Sequence, residues 1–511
     1  MPTNPSGERR CPGESYAISE AVCRARIARH YPKCKECPWR EVTAGPDETA
    51  AEPDVDLDVI FKAYDIRGLA EEQITRAVAW KVGYATARHL VERLPGGAKP
   101  QEQWIIVGRD MRPTSEEYAQ RVAEGIRAAG VGAMLIGEIE TPAIYYAVGS
   151  RKALGGVQVT ASHNPAAYNG FKITGPECVP VGMGSGLEQI RDIAAAVTDT
   201  DQQPVGPLRH EDISSGYLLH VKKFAGEIRP MRIALDTSNG MASKWVPSLL
   251  REFIVDVEPL NLERSGRFTH EPNPLNAAAL EDLKRRVRAT DTACGVCFDG
   301  DADRVGFVDE NGESVGNDLI TALLVPEFLH DERGATIVYD LRSTRALKEE
   351  IEKYGGVPHR ERVGHSYMKR ALRETNAPLG GELSGHTYYR DNYFCDSAVI
   401  TLLKVLTVLS AHPDETLGDL VAPLRRYATT GEVNFEVEDK EAAIQQLAQT
   451  FSDGTVDFLD GVTVEYDQWW FNCRASNTEP LLRLTLEADT QDLCDAQYAK
   501  LKEILGQPTE H

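Results

Sequence analysis

The stretch GGVQVTASHNPAAYNGFK, residues 155–172, joins a short apolar segment to a polar loop that contains a serine. Residues 155–159 have the character of a buried strand, which would carry Ser162 to the end of a sheet. The pairs Asn-Pro and Asn-Gly favour turns, so the loop can fold back and bring Lys172 toward the serine. A phosphorylated serine carries about −2 charge and can donate its phosphate. Taken alone, however, a serine in such a stretch is more typical of a surface turn.

Short apolar strands alternate with helices on both sides of this stretch. Residues 104–108 and 133–136 have the composition of buried strands, and apolar residues at helical spacing predict a helix over 71–94. The same strand-turn-helix order restarts at 231–240 and at 335–351, which suggests repeated units of low sequence identity. The pattern predicts α/β domains in which helices cover both faces of each sheet.

The last part of the chain follows another pattern. Residues 433–437 and 462–466 alternate between apolar and polar side chains, as antiparallel strands do, and helical segments precede and follow them. The segment from about Arg426 onward is therefore predicted to be a smaller α+β domain.

Three aspartates occupy alternate positions in DGDADR, residues 299–304, directly after the apolar run 295–298. Asp299, Asp301 and Asp303 can converge on one hard cation, and Mg2+ prefers oxygen ligands. Alternating aspartates also occur in EF-hand loops, but those loops need a glycine at the sixth position, where this chain has Arg304. A solvated acidic turn is the remaining alternative.

Two further loops carry groups suited to a phosphorylated sugar. GGELSGH, residues 380–386, combines glycines that let the backbone approach a ligand with Glu382 and Ser384, which can accept hydrogen bonds from hydroxyls. RASNTEP, residues 474–480, offers an arginine, hydroxyls and amide hydrogens to a phosphate dianion. By itself, either segment is also compatible with an ordinary turn.

Together, these four segments resemble the α-D-phosphohexomutase family, and especially its bacterial phosphomannomutase/phosphoglucomutase branch. Further matches are FKAYDIRG at 61–68, VGRD at 107–110 and GHSYMK at 364–369, in the order of the family. The resemblance covers about residues 57–511 and implies four domains around a central cleft, three related α/β domains and a C-terminal α+β domain. The segments expected are an N-terminal extension at 1–55 and domains at 56–208, 209–312, 313–425 and 426–511.

The resemblance also implies a role for each matching residue. Ser162 would carry the transferable phosphate and, together with Asp299, Asp301 and Asp303, would hold Mg2+. The residues expected near the reacting phosphate are Arg67, His163, Lys172, His365 and His386, with Lys172 as the first candidate for general acid/base catalysis and His386 as the second. The residues expected to bind the substrate are Arg304, Lys369, Glu382, Ser384, Arg474, Ser476, Asn477 and Thr478.

The implied activity is the interconversion of hexose 6-phosphate and hexose 1-phosphate, an isomerase reaction with a hexose 1,6-bisphosphate as intermediate and activator. The phosphoglucosamine branch usually has glutamine in place of Leu383 and Gly-Thr in place of residues 477–478, so this chain favours mannose or glucose phosphates. The alternatives are a sugar-phosphate sensor without catalysis and a phosphatase that uses the same serine. Because Ser162, the aspartates and Lys172 are all present, the sequence shows no sign that the chemistry was lost.

Residues 1–55 lie outside the resemblance. Cys11, Cys23, Cys34 and Cys37 provide four thiols that can bind Zn2+, while a disordered or redox-active tail is the alternative. The extension can also serve as the contact for a protein partner. The run TAGPDETAAEPDVD, residues 43–56, has the composition of a linker.

Composition narrows the class of protein. The net charge of −22 argues against a nucleic-acid binder, which needs a basic face. No stretch approaches the roughly 20 apolar residues of a membrane span, and the N-terminus lacks the apolar segment of a signal peptide. We therefore expect a cytoplasmic protein whose remaining cysteines are mostly buried and reduced, and the resemblance implies that it acts on small hexose phosphates.

Overall fold

The structure is a computed structural model that describes Ile18, Val22, Cys23, Arg26 and residues 55–94, 99–200, 202–476 and 481–509. Four sheets follow one another along this part of the chain, and we number the domains built on them 1 to 4. Among the described helices, none combines the length and the apolar character that a membrane span requires.

A six-stranded sheet forms the centre of domain 1. Its strands are Ile66–Leu69 (β1), Trp104–Arg109 (β2), Gly132–Glu138 (β3), Gly155–Val159 (β4), Tyr168–Thr174 (β5) and Leu208–His210 (β6). Its helices are Leu57–Ile60 (α1), Arg76–Val91 (α2), Ser115–Ala128 (α3), Thr141–Arg151 (α4) and Leu187–Ala196 (α5). The strand order is β1-β5-β4-β2-β3-β6. The neighbours β4, β2, β3 and β6 pair in parallel, whereas β5 pairs antiparallel with β4 and with β1.

Domains 2 and 3 each contain a five-stranded sheet. The strands of domain 2 are Met231–Asp236 (β7), Val255–Leu260 (β8), Gly295–Phe298 (β9), Val305–Val308 (β10) and Ser314–Val315 (β11), and its helices are Ser214–Lys222 (α6), Val246–Glu252 (α7) and Ala277–Ala289 (α8). The strands of domain 3 are Thr336–Asp340 (β12), Val357–Glu361 (β13), Leu379–Gly381 (β14), Thr387–Tyr389 (β15) and Cys395–Asp396 (β16). Its helices are Asn317–Asp331 (α9), Arg345–Lys353 (α10), His365–Thr375 (α11), Ala398–Ala411 (α12) and Leu417–Val421 (α13).

The first three domains share one sheet topology. In domains 2 and 3 the first strand pairs in parallel with the second and the third, and two antiparallel strands continue beyond the third. Domain 1 repeats this order from β2 to β5 and adds β1 and β6 at its edges. The repeated α/β units suspected from the sequence are therefore present as repeated topology.

Domain 4 has a five-stranded antiparallel sheet, as the alternating pattern predicted. Its strands are Ala428–Phe435 (β17), Thr455–Asp457 (β18), Val462–Glu465 (β19), Trp469–Ala475 (β20) and Leu482–Ala488 (β21), and its helices are Lys440–Thr450 (α14) and Gln491–Leu505 (α15). One apolar core runs through domains 1 to 3, whereas domain 4 has a core of its own.

One strand in each domain leads into one of the four loops singled out in the sequence. These strands are β4, which ends at Val159, β9, which ends at Phe298, β14, which ends at Gly381, and β20, which ends at Ala475. Because each strand is buried, the backbone that enters the loop is fixed, and the polar residues follow at the sheet edge.

Candidate active site

Ser162 lies three residues beyond β4, and its own backbone is left-handed, with φ of 50°. Its amide donates to the Thr160 side-chain oxygen at 2.9 Å. The buried Ser162 hydroxyl is 3.3 Å from Asp299 Oδ2 and 3.4 Å from His163 Nδ1. Burial, with the nearby cation Arg304, lowers the pKa of His163 well below its ordinary value. The serine hydroxyl is therefore held between a carboxylate and a neutral imidazole.

A buried arginine supports the serine loop from behind. Arg112 donates to the carbonyl oxygens of Ser162 (2.9 Å), Asn164 (2.6 Å), Pro165 (2.8 Å) and Tyr168 (3.0 Å). Asp110, which pairs with the same guanidinium at 3.1 Å, fixes its direction. Sequence reasoning missed Arg112, although an arginine just beyond β2 must lie at the same sheet edge as the end of the parallel neighbour β4.

The three aspartates of the segment 299–303 converge, as the alternating spacing predicted. One ligand oxygen from each carboxylate lies within 4.8 Å of the other two. Asp299 Oδ1 accepts hydrogen bonds from the amides of Asp303 (3.1 Å) and Arg304 (3.2 Å), so the loop itself orients this carboxylate. Burial, followed by the neighbouring carboxylates of Asp303 and Asp301, raises the pKa of Asp299 well above its ordinary value. The repulsion within the cluster therefore falls on Asp299, because Lys172 pairs with the other two carboxylates.

The residues present fit the magnesium ion that the resemblance implies. Asp301 Oδ1 and Asp303 Oδ1 are buried without a hydrogen-bond partner among the described residues, and a cation would supply that partner. A Cβ on Gly300 would lie 2.6 Å from the Ser162 carbonyl oxygen, so glycine lets the two loops approach. Carboxylate oxygens are the hard ligands that Mg2+ prefers.

Lys172 extends from β5 into the same cluster. Its ammonium donates to Asp301 Oδ2 at 2.8 Å and to Asp303 Oδ2. Burial acts to lower the pKa of Lys172, but the two carboxylates raise it well above its ordinary value. Burial likewise acts to raise the pKa of Asp303, yet Lys172 lowers it to about 2. The lysine therefore reaches the aspartates, and both Lys172 and Ser162 line the cleft.

A carboxyl group that the sequence analysis did not single out lies behind the aspartate loop. Glu140 precedes α4, whose first residue, Thr141, donates to Asp301 through its amide (2.9 Å to the backbone oxygen) and its hydroxyl (2.5 Å to Oδ2). The Tyr217 hydroxyl donates to Glu140 Oε1, and Oε2 is buried without a partner in the described part of the chain. Burial raises the pKa of Glu140 to about 8, against the Tyr217 hydrogen bond and the nearby Lys244.

Glu382 and Ser384 lie in the turn that follows β14, and both line the cleft. Glu382 accepts hydrogen bonds from the Tyr388 hydroxyl and from the Gly364 amide (3.3 Å). The Ser384 hydroxyl oxygen is buried and has no hydrogen-bond partner among the described residues. Such a hydroxyl facing a cleft is suited to a ligand oxygen.

His386 connects Arg304 with Asp396. Arg304 Nε donates to His386 Nε2 at 3.1 Å, which leaves His386 Nδ1 to donate to Asp396 Oδ2 at 2.8 Å. Lys369 is fully buried behind this pair, where its ammonium lies 2.7 Å from Asp396 Oδ1 and 3.0 Å from the Tyr145 hydroxyl. The cleft lining includes Arg304 and His386 but not Lys369, so the position of Lys369 does not support the predicted contact with substrate.

Arg67 contacts the serine loop, and His365 packs on Tyr64. Arg67 donates to Asn164 Oδ1 at 2.6 Å and pairs with Asp65. The His365 ring stands edge-on to Tyr64, with 5.4 Å between the ring centres. Burial, followed by the Lys369 charge, lowers the pKa of His365 well below its ordinary value. Both predicted residues line the cleft.

Arg474, at the end of β20, belongs to a cluster of three arginines around one carboxylate. Glu432 accepts hydrogen bonds from Arg474 (2.8 Å), from Arg483 (3.1 Å) and from Arg342 of domain 3 (3.2 Å). Burial would raise the pKa of Glu432, but the arginines lower it to about 2. The sequence analysis missed Arg342, Glu432 and Arg483, which lie in three separate segments without a recognisable motif.

Ser476 lines the cleft together with the three arginines of this cluster, and its contact with phosphate stays a prediction. Asn477 and Thr478 lie outside the described residues, so their contacts with phosphate stay predictions.

A histidine–aspartate pair of domain 2, His270 and Asp236, holds another stretch of the cleft lining, residues 271–276. His270 Nε2 lies 3.1 Å from Asp236 Oδ2, and His270 Nδ1 lies 2.7 Å from the Glu271 carbonyl oxygen. Burial acts to lower the pKa of His270, but these two acceptors raise it. The sequence analysis did not identify this pair, because Asp236 and His270 are 34 residues apart.

All four domains contribute to one cavity of about 1040 Å³. Domain 1 supplies Ser162 and Lys172, domain 2 supplies Asp303, domain 3 supplies Glu382, and domain 4 supplies Arg474. A cavity of this size is at the upper end of those that bind small ligands, roughly 300–1,000 Å³.

The N-terminal extension contacts domain 1 through Arg26. Ile18, Val22 and Cys23 are buried, and Arg26 Nε donates to Glu71 at 2.5 Å. Cys23 is a free thiol, and the other three cysteines of the predicted zinc site lie outside the described residues. Zinc binding therefore stays a prediction that no contact in the described part of the extension supports.

Four domain models of one protein family match this chain in order. They describe the phosphoglucomutase/phosphomannomutase α/β/α domains I (residues 58–203), II (215–312) and III (316–427) and the C-terminal domain (432–503). A phosphomannomutase of Vibrio cholerae is 34% identical over 439 residues, which cover 84% of this chain and 94% of that protein.

Solved structures show the same architecture. A phosphoglucomutase/phosphomannomutase family protein of Burkholderia thailandensis superposes with a TM-score of 0.80 at 29% identity, covering 89% of this chain and 99% of that one. An N-acetylphosphoglucosamine mutase of Aspergillus fumigatus, solved with GlcNAc-6P and magnesium, has a TM-score of 0.59 at 14% identity, covering 95% of this chain and 99% of that one. At that identity the second likeness concerns the fold alone.

Proposed function

Because this chain belongs to the phosphoglucomutase/phosphomannomutase family, we propose that it interconverts the 6-phosphate and the 1-phosphate of a hexose, with mannose and glucose as the sugars. One observation supports the proposal most directly. The Ser162 hydroxyl lies 3.3 Å from Asp299, in a carboxylate cluster that has two buried oxygens without a partner among the described residues.

In the proposed reaction, Ser162 carries a phosphate between turnovers. The bond from Ser162 Oγ to phosphorus breaks as a bond forms to a substrate hydroxyl oxygen, and that hydroxyl gives up its proton. Ser162 Oγ takes up a proton as it leaves. Lys172 is our first candidate for the acid/base role, as the acid that supplies this proton, because its carboxylate partners raise its pKa and keep it an ammonium; His386 is the second candidate. Mg2+, held by Asp299, Asp301, Asp303 and the serine phosphate, would offset the negative charge on the oxygens of the transferred group.

The second phosphate of the substrate must be held while the first one moves. Arg474 and Ser476, on the far side of the cleft, are suited to this because an arginine and a hydroxyl match a phosphate dianion. The resulting 1,6-bisphosphate then turns around and returns its other phosphate to Ser162. A cavity of about 1040 Å³ gives the intermediate room for this rotation.

Domain 4 is the part best placed to close over the intermediate. Its apolar core is separate from the core shared by domains 1 to 3, so it can move as a unit. Closure would keep water away from the phosphoserine and prevent its hydrolysis. The ion pair between Arg342 of domain 3 and Glu432 of domain 4, at 3.2 Å, links the two sides.

The first test measures turnover of mannose 1-phosphate and of glucose 1-phosphate, with Mg2+ and a trace of the matching 1,6-bisphosphate. We expect 6-phosphate products with both sugars and a loss of roughly a thousandfold or more in Ser162→Ala. Ser150→Ala, which removes an exposed serine of domain 1, is the matched control and should retain full activity.

The same assay separates the mutase from its alternatives. Release of inorganic phosphate in place of a 6-phosphate product would identify a phosphatase that uses the same serine. Binding of both sugars without turnover, in folded protein whose Ser162 is phosphorylated, would identify a sensor and overturn the proposal.

A further inference from the structure

Two buried thiols from different domains meet at the contact between domains 1 and 3. Cys178 ends the short turn Pro176–Cys178 of domain 1, and Cys395 begins β16 of domain 3. Cys395 Sγ lies 3.7 Å from the Cys178 carbonyl oxygen, so the two cysteines are in direct contact. Both cysteines are free, and the proposed reaction uses neither.

The backbone around both thiols is held in a sparsely populated conformation. Glu177, Cys178, Tyr393 and Phe394 have φ values of 56°, 63°, 59° and 60°, in the left-handed region that side chains other than glycine disfavour. Arg373 Nη2 ties the two turns together, because it donates to the carbonyl oxygens of Glu177 (3.0 Å), Cys178 (3.1 Å) and Tyr393 (2.8 Å). The two cysteines are therefore fixed opposite each other across the domain boundary.

The thiol pair is directly connected to the cleft on both sides. Asp396 follows Cys395 in β16 and orients His386, whose Nδ1 lies 2.8 Å from its Oδ2. Cys178 Sγ donates to the backbone oxygen of Tyr145 (3.1 Å), a residue that lines the cavity. A displacement of either sulfur would move a group that contacts the proposed site.

The surroundings make the two sulfurs chemically unequal. Burial acts to raise the pKa of Cys395, but the adjacent Cys178 side chain, followed by the charges of Lys369 and Arg373, lowers it. The pKa of Cys178 is raised, first by the adjacent Cys395 side chain and second by burial. Cys395 is thus suited to be the attacking thiolate, and Cys178 the thiol that completes a disulfide.

We propose that hydrogen peroxide converts Cys178 and Cys395 into a reversible disulfide between domains 1 and 3, which slows the mutase by displacing Asp396. The Cys395 sulfur attacks peroxide, so that an S–O bond forms, the O–O bond breaks, and the departing hydroxide takes up a proton to leave as water. The Cys178 sulfur then attacks the sulfenic acid, so that the S–S bond forms, the S–O bond breaks, and a second water leaves with the Cys178 proton. Two thiols are oxidised and one peroxide is reduced to two waters.

Both thiols are buried, so the reaction requires a transient opening of the domain contact. The test therefore exposes the full-length protein to hydrogen peroxide over a time course and digests it without reductant. Mass spectrometry should find the peptides that contain Cys178 and Cys395 joined. This first readout is independent of the proposed function, whereas the second, mutase turnover, rests on it. Turnover should fall roughly 10- to 100-fold, since small displacements of catalytic groups cost this much, and dithiothreitol should restore it.

Variants separate the pair from the other cysteines. Cys178→Ser keeps a hydroxyl donor for Tyr145 and should prevent the cross-link, leaving a sulfenic acid on Cys395 that dimedone traps. Cys294→Ser, which removes another fully buried thiol, should leave both the cross-link and the peroxide response intact. Absence of the joined peptides in oxidised wild-type protein would overturn the proposal. A cross-link that leaves turnover unchanged would overturn its connection to Asp396.

Discussion

Glu140 offers a direct test of the electrostatics behind the aspartate loop. Its carboxyl is fully buried, and burial raises its pKa from 4.5 to about 8. Because the folded-state pKa lies above the unfolded value, the folded protein keeps a proton that the unfolded chain has lost. Between these two pKa values the free energy of unfolding therefore falls as the pH rises, by about 1.4 kcal/mol per pH unit. The full loss would be about 3 to 5 kcal/mol, complete above about pH 8.

Glu140→Gln imitates the protonated carboxyl and should remove this loss. Urea titrations at several pH values, followed by tryptophan fluorescence, would measure the free energy of unfolding; Trp245 packs on Tyr217, the hydrogen-bond partner of Glu140, with 5.0 Å between ring centres. We expect the variant to match wild type near pH 5 and to be more stable by about 3 to 5 kcal/mol near pH 9.

The comparison between variant and wild type cancels every other group that titrates in both proteins. Glu227→Gln, at an exposed position of domain 2, is the matched control and should follow wild type at each pH. A constant difference between Glu140→Gln and wild type from about pH 5 to about pH 9 would show that Glu140 is ionised throughout, and would refute the reasoning.

Four further predictions concern the site and its supports. Arg112→Lys cannot serve four carbonyls, so kcat should fall roughly 10- to 100-fold with a smaller change in KM, and an unchanged kcat would contradict its positioning role. Chelation of divalent cations should lower turnover by about 100-fold or more, and added Mg2+ should restore it; full activity in chelator would exclude the proposed metal site. Glu432→Gln should lower the melting temperature of the ligand-free protein more than that of the protein saturated with glucose 6-phosphate. The reason is that the bound phosphate supplies the arginine cluster with the negative charge that the substitution removes. Equal losses of melting temperature in the two states would contradict this prediction. His270 has a raised pKa, so its pairing with Asp236 stabilises the fold below about pH 6.5, and this contribution is lost as the pH rises through the folded-state pKa. The difference in melting temperature between wild type and His270→Gln should therefore become smaller as the pH rises. A difference that does not depend on pH would contradict this prediction.

The parts of the fold that were predictable from the sequence are those in which local pattern and burial agree. The apolar run 155–159 is the buried strand β4, and the alternating pattern at 462–466 corresponds to β19 of an antiparallel sheet. The helix predicted over 71–94 is shorter, Arg76–Val91, because Thr75 caps its first turn and the chain leaves the helix after Val91. The family resemblance, rather than periodicity, supplied the count of four domains and the order of their loops.

The missed residues share one property, which is that their partners are distant in the chain. Arg342 and Glu432 meet only because domains 3 and 4 pack together, and they are 90 residues apart. Lys369 is a different case, because the motif that contains it predicted a contact with substrate. Its position on α11 places it behind Asp396, away from the cleft lining. Sequence motifs identified which loops face the cleft, whereas the supports behind those loops depend on tertiary contacts that no local pattern encodes.

The contacts of Arg112 have a consequence for the direction of the peptide dipoles in the serine loop. All described peptide bonds are trans, so a carbonyl and the next N–H point in opposite directions. Since the carbonyls of Ser162 and Pro165 point at the guanidinium, the N–H groups of His163 and Ala166 point away from it. The positive ends of these N–H dipoles therefore face the side of the loop opposite the Arg112 guanidinium. The backbone of this loop would therefore favour an anion attached to it, and Arg112 would contribute through the carbonyl oxygens it contacts and not through the Ser162 hydroxyl.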